Sequence, residues 1–275
     1  MLTGVEHHLE HRSCVVSAPL DSGYEMKRRE PSASTQIGRV RLEFDTGSKR
    51  LVDAMVVLSE TYSAPPVLPL PLITARVVLS SGAPAVSGHD VAMPDFVFDA
   101  VASCYSANNS VAELVLTITP GLISLVGDVR VGRTTGPLFP KFLLRLATSV
   151  AVIQADSLLV HGCAMVSPEG KAVLFVGASG DGKTTMTRRL PGWSALADDT
   201  VLLEPSDDSG DMMVRGTPFA GSENLPRVGA AYPLHRMVVL DPHADELSLV
   251  ALSTADGFSG LMQRAFCPFA NGPIP

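Results

Sequence analysis

From Gly38 to Thr46, apolar Val40, Leu42 and Phe44 alternate with Arg41 and Glu43, a two-residue period that predicts a strand with one buried face. Similar strand-like runs occur at Leu51–Leu58, Thr74–Leu79, Glu113–Thr119 and Leu122–Val126, with Pro120 and Gly121 as a turn between the last two. Tyr62–Leu72 is Pro-rich and reads as an extended connection. These runs predict an antiparallel, β-rich unit over residues 36–138. Residues 1–35 show neither period and mix charges with Ser and Pro, which predicts a mobile polar tail. The period then lengthens. Phe142, Leu143, Leu146, Val150 and Ile153 recur at helical spacing, predicting an amphipathic helix over 139–155. Ser157–Val166 and Ala172–Val176 are apolar strands joined by a turn at Ser167–Gly170, and Thr184–Leu190 is a helix stopped by Pro191 and Gly192. Leu234–Leu240 and Glu246–Leu252 add two strands, and Thr254–Phe266 a helix. The pattern as a whole predicts an α/β protein, with a second unit spanning 139–275.

The 275 residues are 46% hydrophobic and 18% charged, a composition that supports a buried core. A net charge of −7 excludes a surface that tracks nucleic acid or an anionic membrane, because both need clustered Lys and Arg. Lys27, Arg28 and Arg29 form the one basic cluster, and Glu25 and Glu30 flank it as in a solvated tail. Cys14, Cys104, Cys163 and Cys267 include no CxxC pair, which argues against a disulfide framework or a zinc site and fits a reducing cytoplasm. The most apolar stretch, Phe142–Val160, carries Arg145, Gln154 and Asp156, so it reads as a soluble helix and not as a membrane span. The chain does not open with a basic end and an apolar run, so a secretory signal is not expected. His7, His8 and His11 fall on one side of a helical turn, but without an ordered scaffold solvent exposure is favoured over metal ligation.

The chemistry concentrates in the second unit. GASGDGKT, Gly177–Thr184, fits GxxxxGK(S/T) at every fixed position and lies between a buried strand and a predicted helix. Glycines at 177, 180 and 182 allow successive backbone N–H groups to point inward at phosphate oxygens. Lys183 would place its ammonium near the β- and γ-phosphates, Thr184 would ligate Mg²⁺, and the positive end of the following helix would face the same anion. The cofactor-binding stretch is therefore Gly177, Ala178, Ser179, Gly180, Asp181, Gly182, Lys183, Thr184 and Thr185, with ATP and Mg²⁺ as expected cofactors.

Downstream, Asp198 and Asp199 interrupt two apolar runs in WSALADDTVLLEP, Trp193–Pro205. At a strand end beside the loop, one carboxylate could hold Mg²⁺ and the other could accept the proton of an attacking hydroxyl. Close like charges raise one carboxylate's pKa, as suits a base, although a metal pulls the other way. His161 follows Leu158, Leu159 and Val160 on the strand expected to pair with the loop-bearing strand, so its side chain could reach the loop. A core or edge histidine is the plainer reading, and the same holds for Arg215.

HGCAMV (161–166), GASGDGKTT (177–185), ADD (197–199) and RGTPF (215–219), in this order and spacing, resemble the HPr kinase/phosphorylase family, whose core fold is similar to that of ATP-dependent phosphoenolpyruvate carboxykinase. The resemblance covers about residues 140–240. It implies a mixed-sheet P-loop core and transfer of the γ-phosphoryl group of ATP to a serine hydroxyl of a protein or peptide. By position, Lys183 and Thr184 would grip phosphate and Mg²⁺, Asp198 and Asp199 would share the metal and base roles, with Asp198 as metal ligand beside Thr184, and His161 would lie near the transferred group. The chain departs from the family at Thr185, where an acidic residue is usual, and in its first 135 residues. It also ends at Asn271–Pro275, where relatives continue with helices, so the resemblance implies a short or truncated member. Members of the family often assemble, which makes a homo-oligomer an expectation too.

Two other readings stand beside the kinase. One is a nucleotide-dependent switch or ATPase without transfer activity. The other is a small-molecule kinase with a carboxykinase-like core, which would need a basic pocket for an anionic acceptor, with Arg215 and Arg227 as the nearby candidates. No NKxD-type segment and no LSGGQ-like helix is present, so a GTPase and an ABC-type ATPase are disfavoured.

Overall fold

The computed structural model describes residues 33–46, 53, 56, 62–63, 73–81, 96–99, 104–108, 112–129, 138–206, 210–219, 221, 227–241 and 248–271. Two sheets dominate. The first contains β1 (Ala33–Ile37), β2 (Val40–Thr46), β4 (Ile73–Ser81), β5 (Phe96–Asp99), β6 (Cys104–Asn108), β7 (Ala112–Thr119), β8 (Leu122–Val129) and β16 (Phe269–Asn271), in the order β1-β2-β4-β8-β7-β6-β5-β16. The expected antiparallel unit is thus mixed: β2 pairs with β4, and β4 with β8, in parallel. Hairpin reasoning reads only neighbours in sequence, and these pairings join strands that are not consecutive. Ala33–Thr35, read as the end of the polar tail, pair with β2. His7, His8, His11 and Lys27–Arg29 lie outside the described residues.

The second sheet holds β9 (Leu158–Val166), β10 (Ala172–Val176), β11 (Ser194–Ala197), β12 (Thr200–Pro205), β13 (Met212–Gly216) and β15 (Ala231–Val239). Five of these close into a ring, β9-β10-β15-β13-β12, because β10 pairs with β9 as well as with β15. All contacts in the ring are antiparallel except β10–β15. The protein is therefore mixed α/β and rich in β-structure, but the expected P-loop core does not form. A parallel sheet needs long helical crossovers. Here β9 and β10 are antiparallel neighbours joined by the turn at Ser167–Gly170, β12 and β13 also pair antiparallel, and α2 (Lys183–Arg189) has seven residues. A small separate pair, β3 (Tyr62–Ser63) with β14 (Arg227–Val228), is parallel.

Helix α1 (Leu138–Ile153) lies between the sheets. Leu143, Leu144, Leu146, Val150 and Val152 join a cluster containing Ile37, Leu42, Phe44 and Leu116 of the first sheet and Leu159, Leu202 and Phe219 of the second half. Apolar side chains surround most of the helix, and Thr148 and Ser149 satisfy their buried hydroxyls on the carbonyls of Leu144 and Leu146, at 2.6 and 2.8 Å. A second cluster fills the ring with Val160, Ala164, Leu174, Val176, Leu196, Val201, Leu203 and Val214. Helix α3 (Thr254–Met262) is capped by Ser253, whose hydroxyl accepts from Asp256 N at 3.2 Å.

Two expected strands differ. In Leu51–Leu58 the described residues Asp53 and Val56 are helical, since a short run of apolar residues fits either period. In Glu246–Leu252 the described residues 248–252 are exposed and irregular, Leu249 at 78%, since a short apolar run forms a strand only where tertiary contacts bury it. Among the described residues no helix is long and apolar enough to cross a membrane.

Candidate functional site

Strand β9 changes partners on both edges at His161–Gly162. On one edge it pairs with β12 through His161 and with β11 from Ala164 onward. Those two strands are one polypeptide run broken by Asp198 and Asp199. On the other edge, His161 N donates to Arg264 O at 2.8 Å, after which β10 takes over with Val176 opposite Gly162. The loop beginning at Gly177 therefore leaves the sheet where both edges of β9 open. Gly162 N donates to Asp199 O at 3.0 Å, which ties the acidic break to the same point. Gly162 is required there, since a Cβ would lie 2.8 Å from Leu174 Cδ1 and 3.0 Å from Phe175 O.

Gly177–Thr184 does run from buried β10 into α2, with Gly180 and Gly182 at φ of 93° and 89°. The loop is closed on itself. Lys183 Nζ donates to Gly177 O and Ala178 O at 2.9 and 2.6 Å, and the Asp181 carboxylate accepts from Ala178 N. Burial first lowers the Lys183 pKa, opposed by Asp181. Ser179, Gly180 and Thr185 are exposed, and Thr184 is half-buried. With seven residues α2 has a weak dipole, so an anion at this loop would depend on Lys183 and the loop amides.

The acidic pair divides. Asp198 is 7% exposed; Oδ1 accepts from Gly221 N at 2.9 Å, while Oδ2 is buried with no hydrogen-bond partner among the described residues. An orphaned buried carboxylate oxygen is costly and suits a cation or a proton donor. Burial first, then Asp198, raises the thiol pKa of neighbouring Cys163 to about 12. Asp199 instead sits among cations. Arg145 donates to its Oδ2, Lys141 Nζ lies 3.3 Å from the same oxygen, His161 Nδ1 is 3.5 Å from Oδ1, and Thr200 Oγ1 donates to Oδ2 at 3.1 Å. Burial is the largest influence on Asp199 and would raise its pKa, but Arg145, Lys141 and His161 together outweigh it and hold the carboxyl below its usual range. The raised pKa expected from a like-charged neighbour is thus reversed at Asp199.

Lys141 and Arg145 did not stand out in the sequence as site residues. Their signal was present: they stand four apart, on one face of an otherwise apolar helix. Arg215 is not available to a ligand, because it is buried in a pair with Glu204, Nε to Oε1 2.6 Å, and donates to Gly229 O at 2.6 Å. The side chain of Arg227 lies outside the described residues. These residues also gather no cluster of three or more His, Cys, Asp or Glu able to hold a metal.

Residues 143–264 match the family described as SynChlorMet cassette protein ScmC, less than half of the chain, and no HPr kinase family matches. The resemblance to HPr kinase/phosphorylase is corrected accordingly. It rested on four short segments, and a phosphate loop recurs on many unrelated folds. The matched stretch runs from Leu143 to Arg264 and includes Arg145, His161, the loop and both aspartates. No curated protein matches the chain.

Proposed function

We propose that the chain is an ATP-dependent phosphotransferase that moves the γ-phosphoryl group to a hydroxyl, with serine of a protein or peptide as the acceptor to test first. The observation that carries this reading is the convergence at one opening of β9: the GxxxxGKT loop after Val176, His161, and the Asp198–Asp199 break. Bound ATP would lie on the loop amides, with Lys183 turned from its own carbonyls to the phosphates. Mg²⁺, when bound, neutralises phosphate charge; Thr184 and the orphaned Oδ2 of Asp198 are the groups that would hold it, and so few protein ligands suit a cation carried mainly by phosphates and water. Asp199 accepts the hydroxyl's hydrogen bond. As the acceptor oxygen bonds to phosphorus and the bond from phosphorus to the bridging oxygen of ADP breaks, the proton passes to Asp199. A carboxylate of low pKa can serve, since phosphoryl transfer depends mostly on positioning and charge.

A second reading, nucleotide binding without transfer, draws support from the cations that already neutralise Asp199. One experiment separates the two: γ-labelled ATP added to a lysate of the source organism with wild type, Lys183→Ala or Asp199→Ala. A protein or peptide labelled only by wild type supports the kinase and names its acceptor. Binding of ATP with no label transferred to any molecule sinks the kinase and leaves the switch.

A further inference from the structure

One carboxylate, Asp199, is faced by two permanent cations, Arg145 and Lys141, and by the His161 ring. Arg145 is fixed in place, its guanidinium carbon 4.8 Å from the Phe266 ring centroid and 5.3 Å from that of Phe219. Its Nε is buried and has no acceptor among the described residues. An unsatisfied buried N–H costs free energy, and a second anion accepting from it beside Lys141 would relieve that cost. Positive charge also acts from the loop side: burial first, then Lys183, lowers the His161 pKa, Asp199 opposes this, and Arg145 and Arg264 act with Lys183.

The geometry points to a second anion subsite at Lys141, Arg145 and His161, walled by Phe219 and Phe266, that takes a carboxylate or phosphate group carried by the phosphoryl acceptor. In the free protein the Asp199 carboxylate stands in for that group. The identity of the occupant as an acceptor rests on the phosphotransferase reading; the subsite itself does not. It meets the requirement for a basic pocket that Arg215 cannot meet.

The test is calorimetric titration of the ADP-saturated full chain with inorganic phosphate and, separately, with succinate, which distinguishes the two oxyanion sources. At least one should bind. Losing a charged hydrogen bond should weaken that binding about tenfold in Arg145→Met and in Lys141→Met, weaken it less in Arg145→Lys, which keeps the charge but loses the Nε–H donor, and leave ADP affinity unchanged. Asp199→Asn removes the competing carboxylate and should tighten it. Lys141→Met, half-exposed, keeps the test valid if Arg145→Met does not fold. The subsite is overturned if neither oxyanion binds, or if binding is equal in all variants. Failure of ADP to bind would count against the phosphotransferase reading instead. The same titrations without nucleotide, on Lys183→Ala protein, would then decide the subsite: oxyanion binding that persists supports it, and binding that vanishes with Lys183 places the anion on the loop.

Discussion

Replacing Arg215 tests whether this cation is part of the architecture or of a ligand site. Arg215 is 9% exposed and Glu204 is 5% exposed, and the two meet across neighbouring strands β12 and β13. The turn between β1 and β2 closes over them, because a Cβ on Gly38 would lie 2.6 Å from Glu204 Oε2. Arg215→Met keeps the volume but leaves a buried carboxylate without its partner, a loss of about 3–5 kcal/mol. Since a domain's whole stability is about 5–15 kcal/mol, that is roughly a fifth or more of the total. Arg215→Met/Glu204→Met removes both charges and should recover most of the loss, because a buried pair contributes little net relative to apolar residues of similar size. Urea unfolding followed by the fluorescence of Trp193, the single tryptophan, measures each variant. A loss below about 1 kcal/mol in the single variant, the range of exposed pairs, would refute the reasoning. So would a double variant no more stable than the single.

Three further outcomes are expected. Gly162→Ala forces β9 away from Phe175 O and Leu174 and should cost about 1–3 kcal/mol in the same assay; an unchanged urea midpoint would show that the strands yield freely. Asp181→Ala removes the carboxylate that accepts from Ala178 N, and at about 1 kcal/mol for a hydrogen bond ADP should bind roughly fivefold more tightly; equal or weaker affinity would mean that the carboxylate does not compete with phosphate. His161 is held below the ordinary imidazole pKa by burial first and then by Lys183, so the unfolded chain takes up its proton more readily. Its contribution to stability is present above the unfolded value of about 6.5 and is lost as pH falls through the lower folded value. Wild type should therefore lose stability on acidification through that window more steeply than His161→Gln, and parallel pH profiles would contradict this.

Much of the local structure was legible in the sequence because it depends on neighbours along the chain. The two-residue period located β2, β4, β7 and β8, and the apolar run before GASGDGKT marked β10 at Ala172–Val176 as observed. The helical period located α1 to within two residues of its ends. The short run around Asp53 and Val56 was ambiguous because so few apolar residues satisfy both periods.

The sequence by itself thus determined β2, β4, β7 to β10 and helices α1 to α3, and it held the glycines, Lys183 and Thr184 of the loop in fixed order. Only the tertiary structure decided that β10 closes a ring with β9 and β15, that β2, β4 and β8 run parallel, and that α1 packs between the sheets. Those outcomes depend on contacts between residues distant in the chain, which periodicity does not encode. The same holds for the site. Asp199 is adjacent to Asp198 in sequence, yet one carboxylate lies among Arg145, Lys141 and His161 and the other is buried with an oxygen unpaired. The protonation of Asp199 is set by its burial and by the charges that folding brings within a few ångströms, and the strongest of these stands 54 residues away on another element.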